Sequence, residues 1–171
     1  MSPTVALRDL DDEQLAHLAQ YSAPATNLYR TLAGHPTLFP AWVDFAWTLR
    51  SAAALPRALR EIMILRAVQL LSSEYAWAEH VVMAHDAGVE PQLIDALATW
   101  QDSSLFDEDE RLGLALVEQS VAGAVTDDLL QSLTSRFSDP EIIELAMTVG
   151  FYAMVPAVLR ILRVPLPEGH R

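Results

Sequence analysis

The sequence predicts an all-α fold, a single-domain helical bundle of about eight helices. Three observations carry that expectation. Apolar residues recur at three- and four-residue steps in one segment after another, no stretch alternates apolar and polar residues at period two, and short polar residues, prolines and glycines fall where helices start and stop. A chain of 171 residues, half of them apolar, supplies one sizeable core, and no Pro/Gly/Ser-rich linker divides it, so one domain over residues 1–171 is expected. Neither an internal repeat nor a low-complexity tract is present.

Taken in order, Asp11 and Asp12 ahead of Glu13 start a short helix that ends near Tyr21, because short acidic side chains accept from orphan amides and suit the positive helix terminus. A second helix covers Ala25 to Ala33 and stops at Gly34. Pro36 to Leu49 carries Leu38, Phe39, Trp42, Phe45 and Trp47 on a stripe too aromatic to face solvent, so that helix is expected to be mostly buried. Pro56 opens a helix to Leu71 with no clean polar face after Glu61, either central in the monomer or covered by a second subunit. Ser72 or Ser73 caps the next, which runs to about Ala87 with Gly88 as its C′ residue. Pro91 begins a helix reaching Trp100. Beyond a charged loop, Asp107 with Glu110 caps Glu108 to Ala122, and Thr126 with Asp127 and Asp128 starts a helix ending near Phe137. Ser138-Asp139-Pro140-Glu141 is a capping box launching Ile142 to Leu162, a long apolar helix that Pro156 should kink.

Composition excludes several classes. With 23 acidic against 11 basic residues, the net charge of −12 repels nucleic acid and anionic lipid, so neither partner is expected. Charged residues such as Arg66, Glu74 and Glu79 interrupt the apolar runs, so no membrane span is expected. The first residues show no basic-then-apolar leader, which fits a cytoplasmic protein. There is no cysteine, which removes disulfides, thiolate nucleophiles and zinc–thiolate or iron–sulfur sites.

Chemistry concentrates between Leu55 and Gly88. Glu61 stands in an otherwise apolar helix, and the following helix gathers Tyr75, Trp77, Glu79 and His80. There Ser73, Ala76, Trp77, His80 and Ala84 fall on one side at helical steps, with Tyr75, Glu79 and Met83 in an adjoining row. His17, His35 and His170 read as structural or solvated, whereas His80 lies among apolar residues beside ionisable neighbours.

The run Leu55-Pro56-Arg57-Ala58-Leu59-Arg60-Glu61, then an apolar helix, a short polar break, a helix with His80, and Ala84 with Gly88, resembles the carboxymuconolactone decarboxylase and alkylhydroperoxidase D-like family. The later stretch from Phe137 to Leu166 is similar to the C-terminal half of its longer, cysteine-free members. In the family's peroxidase branch a glutamate is followed by Cys-x-x-Cys-x-x-x-His, a proton relay that activates a thiol. Aligned through Ala84 and Gly88, the glutamate falls on Glu61 and the histidine on His80. The cysteine positions fall on Ser73 and Ala76, and the histidine between them falls on Tyr75. Neither serine nor alanine can be oxidised and resolved as a thiol pair is, so peroxidase activity is not expected.

The resemblance implies a cofactor-free acid–base enzyme, a decarboxylase or other lyase or an isomerase, acting on a small carboxylate or lactone. Glu61, Tyr75 and His80 are the implied catalytic set, and Arg57, Ser73, Trp77 and Glu79 the substrate-binding one. Arg57, Arg60 or Arg66 would anchor a carboxylate, and His80 with Tyr75 or Glu79 would deliver a proton. It also implies a homo-oligomer, a dimer or trimer of dimers.

Plainer readings stand beside these. His80 also reads as a hydrogen-bonded core residue, and Glu61, flanked by three arginines, as half of an ion pair. Tyr75 and Trp77 serve equally as wall. Glu79, His80 and His85 suggest a metal site, yet adjacent helical residues point about 100° apart and no fourth ligand is evident, so no metal is expected. The alternative function is a non-catalytic helical oligomer that binds a small molecule or serves as a structural partner.

Overall fold

Nine α-helices and one 3-10 helix, with no strand, build the described residues of this computed structural model, 3–51 and 54–166. The all-α expectation is met. His170 lies outside the described residues. Packing divides the chain into two units, residues 1–52 with 157–171, and residues 53–156.

In the first unit, α1 (Asp12–Ala19) starts at a capping box: the Asp11 carboxylate accepts from Gln14 N–H, and the Gln14 side chain accepts from Asp11 N–H. The helix α2 (Asn27–Leu32) starts two residues later than its sequence suggests, because the hydroxyl of Thr26 accepts from Tyr29 N–H and defines the N-cap. Leu18, Tyr29, Ala33, Phe39 and Val43 form the core of this unit. On α3 (Leu38–Ser51) only Phe39 and Val43 are buried, and Phe45 is 38% exposed. The expectation of a mostly buried helix is therefore corrected. Its indoles pack at the margin, where Trp47 donates Nε1–H to the Tyr29 hydroxyl at 2.9 Å and stacks on Tyr21. His17 and His35 are structural, His17 lying 2.7 Å from Asp44 and His35 accepting from Leu38 N–H at 3.2 Å.

The second unit is built around α4 (Arg57–Leu70), in which every residue from Leu59 to Val68 is buried. Of the two placements its sequence left open, α4 is buried within the chain, at the centre of the second unit. One core cluster joins its Leu59, Met63 and Ala67 to Val117, Leu133, Leu145 and Val149, and another joins Ile62 and Leu65 to Ala84, Leu97 and Leu114. The partners come from α5 (Glu74–Asp86), α7 (Glu108–Val121), α8 (Asp127–Arg136) and α9 (Asp139–Leu162). Helix α7 approaches α4 through Gly113, where a Cβ would meet Met63 at 3.0 Å and Leu59 at 3.2 Å.

Gly88 closes α5 with φ of +85°, a conformation that favours glycine. Pro91 begins α6 (Pro91–Ala96), but the chain tightens into a 3-10 helix over Leu97–Asp102 and leaves helical geometry at Thr99. Trp100, whose Nε1–H is bonded to Glu118, sits in that altered turn. Asp107 and Glu110 form the expected capping box of α7.

Helix α9 begins three residues earlier than its apolar run, since Ser138 bonds Glu141 through both its N–H and its hydroxyl and Pro140 fits the first turn. It continues as one helix through Pro156. At 24 residues α9 is long and apolar enough, by length and composition, to cross a membrane, a run that the charged residues cited above do not interrupt. Its single internal charge, Glu144, faces inward and pairs with Arg60. Together with Leu145 and Val149 in the core, that pair marks the first half of α9 as part of the core of the second unit.

Candidate acid–base site

The buried charges of α4 are each met from a different helix. Arg60 Nε lies 3.1 Å from Glu144 Oε1 on α9, both side chains 8% exposed. Arg66 bonds Glu118 on α7, and the same carboxylate accepts from Trp100 Nε1–H and Gln101 Nε2–H, each at 2.8 Å. Glu61 turns to α5, where its Oε2 stands 2.8 Å from Nδ1 of His80. The sequence left these arginines as candidate partners for Glu61 or anchors for substrate. The structure commits Arg60 and Arg66 elsewhere and leaves Arg57 beside Glu61.

Arg57, one helical turn before Glu61, sets its Nε 3.8 Å from Glu61 Oε1, beyond hydrogen-bond range, and donates from the other end of its guanidinium to Met83 O at 3.2 Å. That Nε–H is a buried donor with no hydrogen-bond acceptor. Glu61 and His80 are themselves buried, at 4% and 9% side-chain exposure. An ionised carboxylate only accepts, so with Glu61 charged the shared proton sits on His80 Nδ1 and fixes the tautomer. Nε2 then carries the lone pair, and no hydrogen bond to it is made by the described residues. The Tyr152 ring of α9 stands edge-on to the imidazole, centroids 4.8 Å apart and planes at 89°.

The other predicted residues are distributed along α5. Ala76 lies one turn before His80 on the same row, and Ser73, the buried N-cap residue, lies nearly two turns before it. Tyr75 is buried but five residues away, about 140° round the helix axis from His80. Trp77 packs against the second core cluster, and Glu79 is partly exposed. Among the described residues no three histidines or carboxylates are grouped to hold a metal, Glu79, His80 and His85 included. Two surface clefts, one of about 340 Å³ beside His17 and one of about 450 Å³ beside Arg136, are lined by none of the predicted site residues.

Tyr152 and Glu144 were not legible as site-building residues. Tyr152 lies within the apolar run of the last helix, and nothing in its spacing announces a contact with a helix so distant in sequence. Glu144 carried a signal, since a lone carboxylate in an apolar helix is the same anomaly that drew attention to Glu61.

The all-α fold is that of alkylhydroperoxidase D-like structures. Residues 36–119 match the carboxymuconolactone decarboxylase family. The fold agrees with solved structures. An uncharacterised peroxidase-related protein from Silicibacter sp. TM1040 superposes with a TM-score of 0.83 at 17% identity, over 98% of this chain and 92% of that one. An alkylhydroperoxidase AhpD core protein from Ralstonia eutropha JMP134 gives 0.80 at 16% identity, over 97% and 93%. A cysteine-to-alanine variant of the debrominase Bmp8, in complex with 2,3,4-tribromopyrrole, gives 0.81 at 14% identity, over 98% and 95%. No curated protein matches the chain in sequence.

Proposed function

We propose that this protein is a thiol-free, cofactor-free acid–base enzyme, a decarboxylase or isomerase of small unsaturated carboxylates or lactones, with His80 as the proton-transfer group. The observation that carries this is the buried 2.8 Å bond from His80 Nδ1 to Glu61, which leaves Nε2 unbonded. Glu61 holds the tautomer and stabilises the imidazolium formed when Nε2 takes a proton. Arg57, with its unsatisfied Nε–H, is the carboxylate anchor.

In decarboxylation the electrons of the breaking C–C bond pass into the conjugated carbonyl as carbon dioxide leaves. The carbon that gains electron density then takes the proton from Nε2–H, and solvent reprotonates the imidazole. In isomerisation Nε2 removes a proton beside the carbonyl and returns it to the far end of the same conjugated system. Neither path uses sulfur, and with no cysteine the chain has no thiol for peroxide reduction. Bmp8 is a debrominase, and any dehalogenation here would likewise have to proceed without a thiol.

The test is incubation of the whole protein with carboxymuconolactone and related unsaturated lactone acids in deuterated water. Carbon dioxide release, or solvent deuterium appearing at carbon, is expected. Both should be lost in His80→Ala, with its circular dichroism unchanged. An inert parent protein, or a fully active His80→Ala, overturns the proposal.

A further inference from the structure

Helix α9 sends one row of side chains toward the acid–base pair. Glu144 meets Arg60 of α4 at 3.1 Å, and the Tyr152 ring stands against the His80 imidazole with centroids 4.8 Å apart. Thr148 lies between them, four residues from each, a step of about 6 Å along the helix axis and about 40° around it. Its two neighbours on the row thus fix where it faces. That place is the seam between α4, which carries Arg60 and Glu61, and α5, which carries His80. All of these residues belong to the second unit.

Thr148 is 2% exposed, and its buried Oγ1 has no hydrogen-bond partner among the described residues. The usual partner for a threonine inside a helix is the carbonyl four residues back, as where Thr31 donates to Asn27 O at 2.8 Å. Thr148 does not use the matching carbonyl of Glu144. Valine would fill the same space without the cost of a buried, unpaired hydroxyl. The bonding capacity of Thr148 is left for a group that the chain does not supply.

Arg57 Nε–H, one turn before Glu61, is a second buried donor without an acceptor. The two donors are unlike, one cationic and one neutral. Beside a proton-transfer imidazole they fit a ligand that carries a carboxylate and, on its reacting frame, an uncharged carbonyl oxygen.

We infer that the Thr148 hydroxyl is a catalytic hydrogen-bond donor to the substrate's carbonyl oxygen, which selects lactone acids and keto acids over plain unsaturated carboxylates. The inference rests on the acid–base reading of His80. As the C–C bond to the carboxylate breaks, its electron pair moves through the conjugated system onto the carbonyl oxygen, and carbon dioxide leaves. Thr148 donates to that oxygen while it carries the enolate charge and keeps its own proton throughout. Proton transfer from His80 Nε2–H to carbon then draws the pair back and restores the carbonyl. The donor holds the enolate more strongly than the ground-state carbonyl, and this difference lowers the barrier.

The whole protein is tested with the lactone acid that it turns over. Thr148→Val should lower kcat by ~10²–10³-fold with KM little changed. Thr148→Ser, which keeps the O–H, should restore most of the rate. The thermal midpoint of Thr148→Val should equal or exceed that of the parent, because an unpaired buried hydroxyl is removed. A second arm needs no turnover: calorimetric titration with paraconate, a saturated lactone acid, and with its cyclic-ether counterpart lacking the carbonyl. The parent should prefer paraconate by about tenfold, and Thr148→Val should erase the preference. Unchanged kcat in Thr148→Val overturns the proposal and leaves the acid–base reading standing. An inert parent that still prefers paraconate through Thr148 removes that reading and keeps the donor site. Equal or absent binding of the two ring acids by the parent, or a Thr148→Val rate that falls only with its folded fraction, overturns the proposal.

Discussion

Glu144 closes over the start of α4: while one carboxylate oxygen faces Arg60 Nε at 3.1 Å, the other accepts Leu55 N–H at 3.1 Å. A single buried group thus neutralises a guanidinium and satisfies a backbone donor. Glu144→Ala should cost about 3–5 kcal/mol, because it strands a buried cation. Urea unfolding reads this directly. Replacing Arg60 by Met in the same protein should recover much of the loss, and a double variant as unstable as the single one would show that the pair is not the cause.

Glu61 and His80 form the other inward pair, and here function should suffer more than stability. With a substrate identified by deuterium exchange, Glu61→Gln should keep a hydrogen bond to the imidazole but lower kcat by roughly 10²–10⁴, since the developing imidazolium loses its counter-charge. Parallel measurement of thermal midpoint and kcat separates the two effects. A matched fall in folded fraction and rate would assign Glu61 a structural role only.

Gly113 permits the close approach of α7 to α4. Gly113→Leu should overpack the space held by Met63 and Leu59 and cost ~1–3 kcal/mol, despite the better helix propensity of leucine. Differential scanning calorimetry measures it. An unchanged or raised midpoint would mean that α7 shifts outward at no cost.

The acid limb of stability should carry the imprint of Glu141. The Ser138 hydroxyl and then its N–H bond the carboxylate and hold its pKa below the ordinary 4.5. A depressed folded value stabilises above the unfolded pKa and is lost as pH falls through the folded one. Ser138→Ala should therefore reduce the loss of thermal midpoint on acidification below pH 4.5. Glu110 acts with the opposite sign: burial raises its pKa, so its contribution favours folding at low pH and fades as pH rises. A Ser138→Ala profile parallel to that of the parent across this range would contradict the assignment.

The helices could be read along the chain because their signals are local. Asp11, Asp107 and Thr126 announce starts within three residues of the donors they satisfy, Ser138 donates to Glu141 at the same spacing, and Gly88 marks a stop. The pairing of Glu61 with His80 was approached through a spacing pattern, but its 2.8 Å closeness depends on how α4 and α5 pack. Tyr152 and Glu144 meet the site from positions far along the chain, and no local period encodes such contacts. The 36–49 helix misled for a related reason. Aromatic content marks a side chain as unsuited to full solvation, but Trp47 meets that need with one hydrogen bond and a stacked ring, without full burial.

The three buried charges of α4, Arg60, Glu61 and Arg66, also bear on what a shortened chain would do. Their counter-groups sit on α5, α7 and α9, and the last of these lies beyond the 36–119 segment that matches the family. A fragment cut to that segment would retain His80 and Glu118 but lose Glu144, leaving Arg60 with its charge and no carboxylate to meet it. It would also lose the Tyr152 ring against the imidazole. The charge of Arg60 and the packing of His80 are thus completed from α9, outside the portion of the chain that carries the family's pattern.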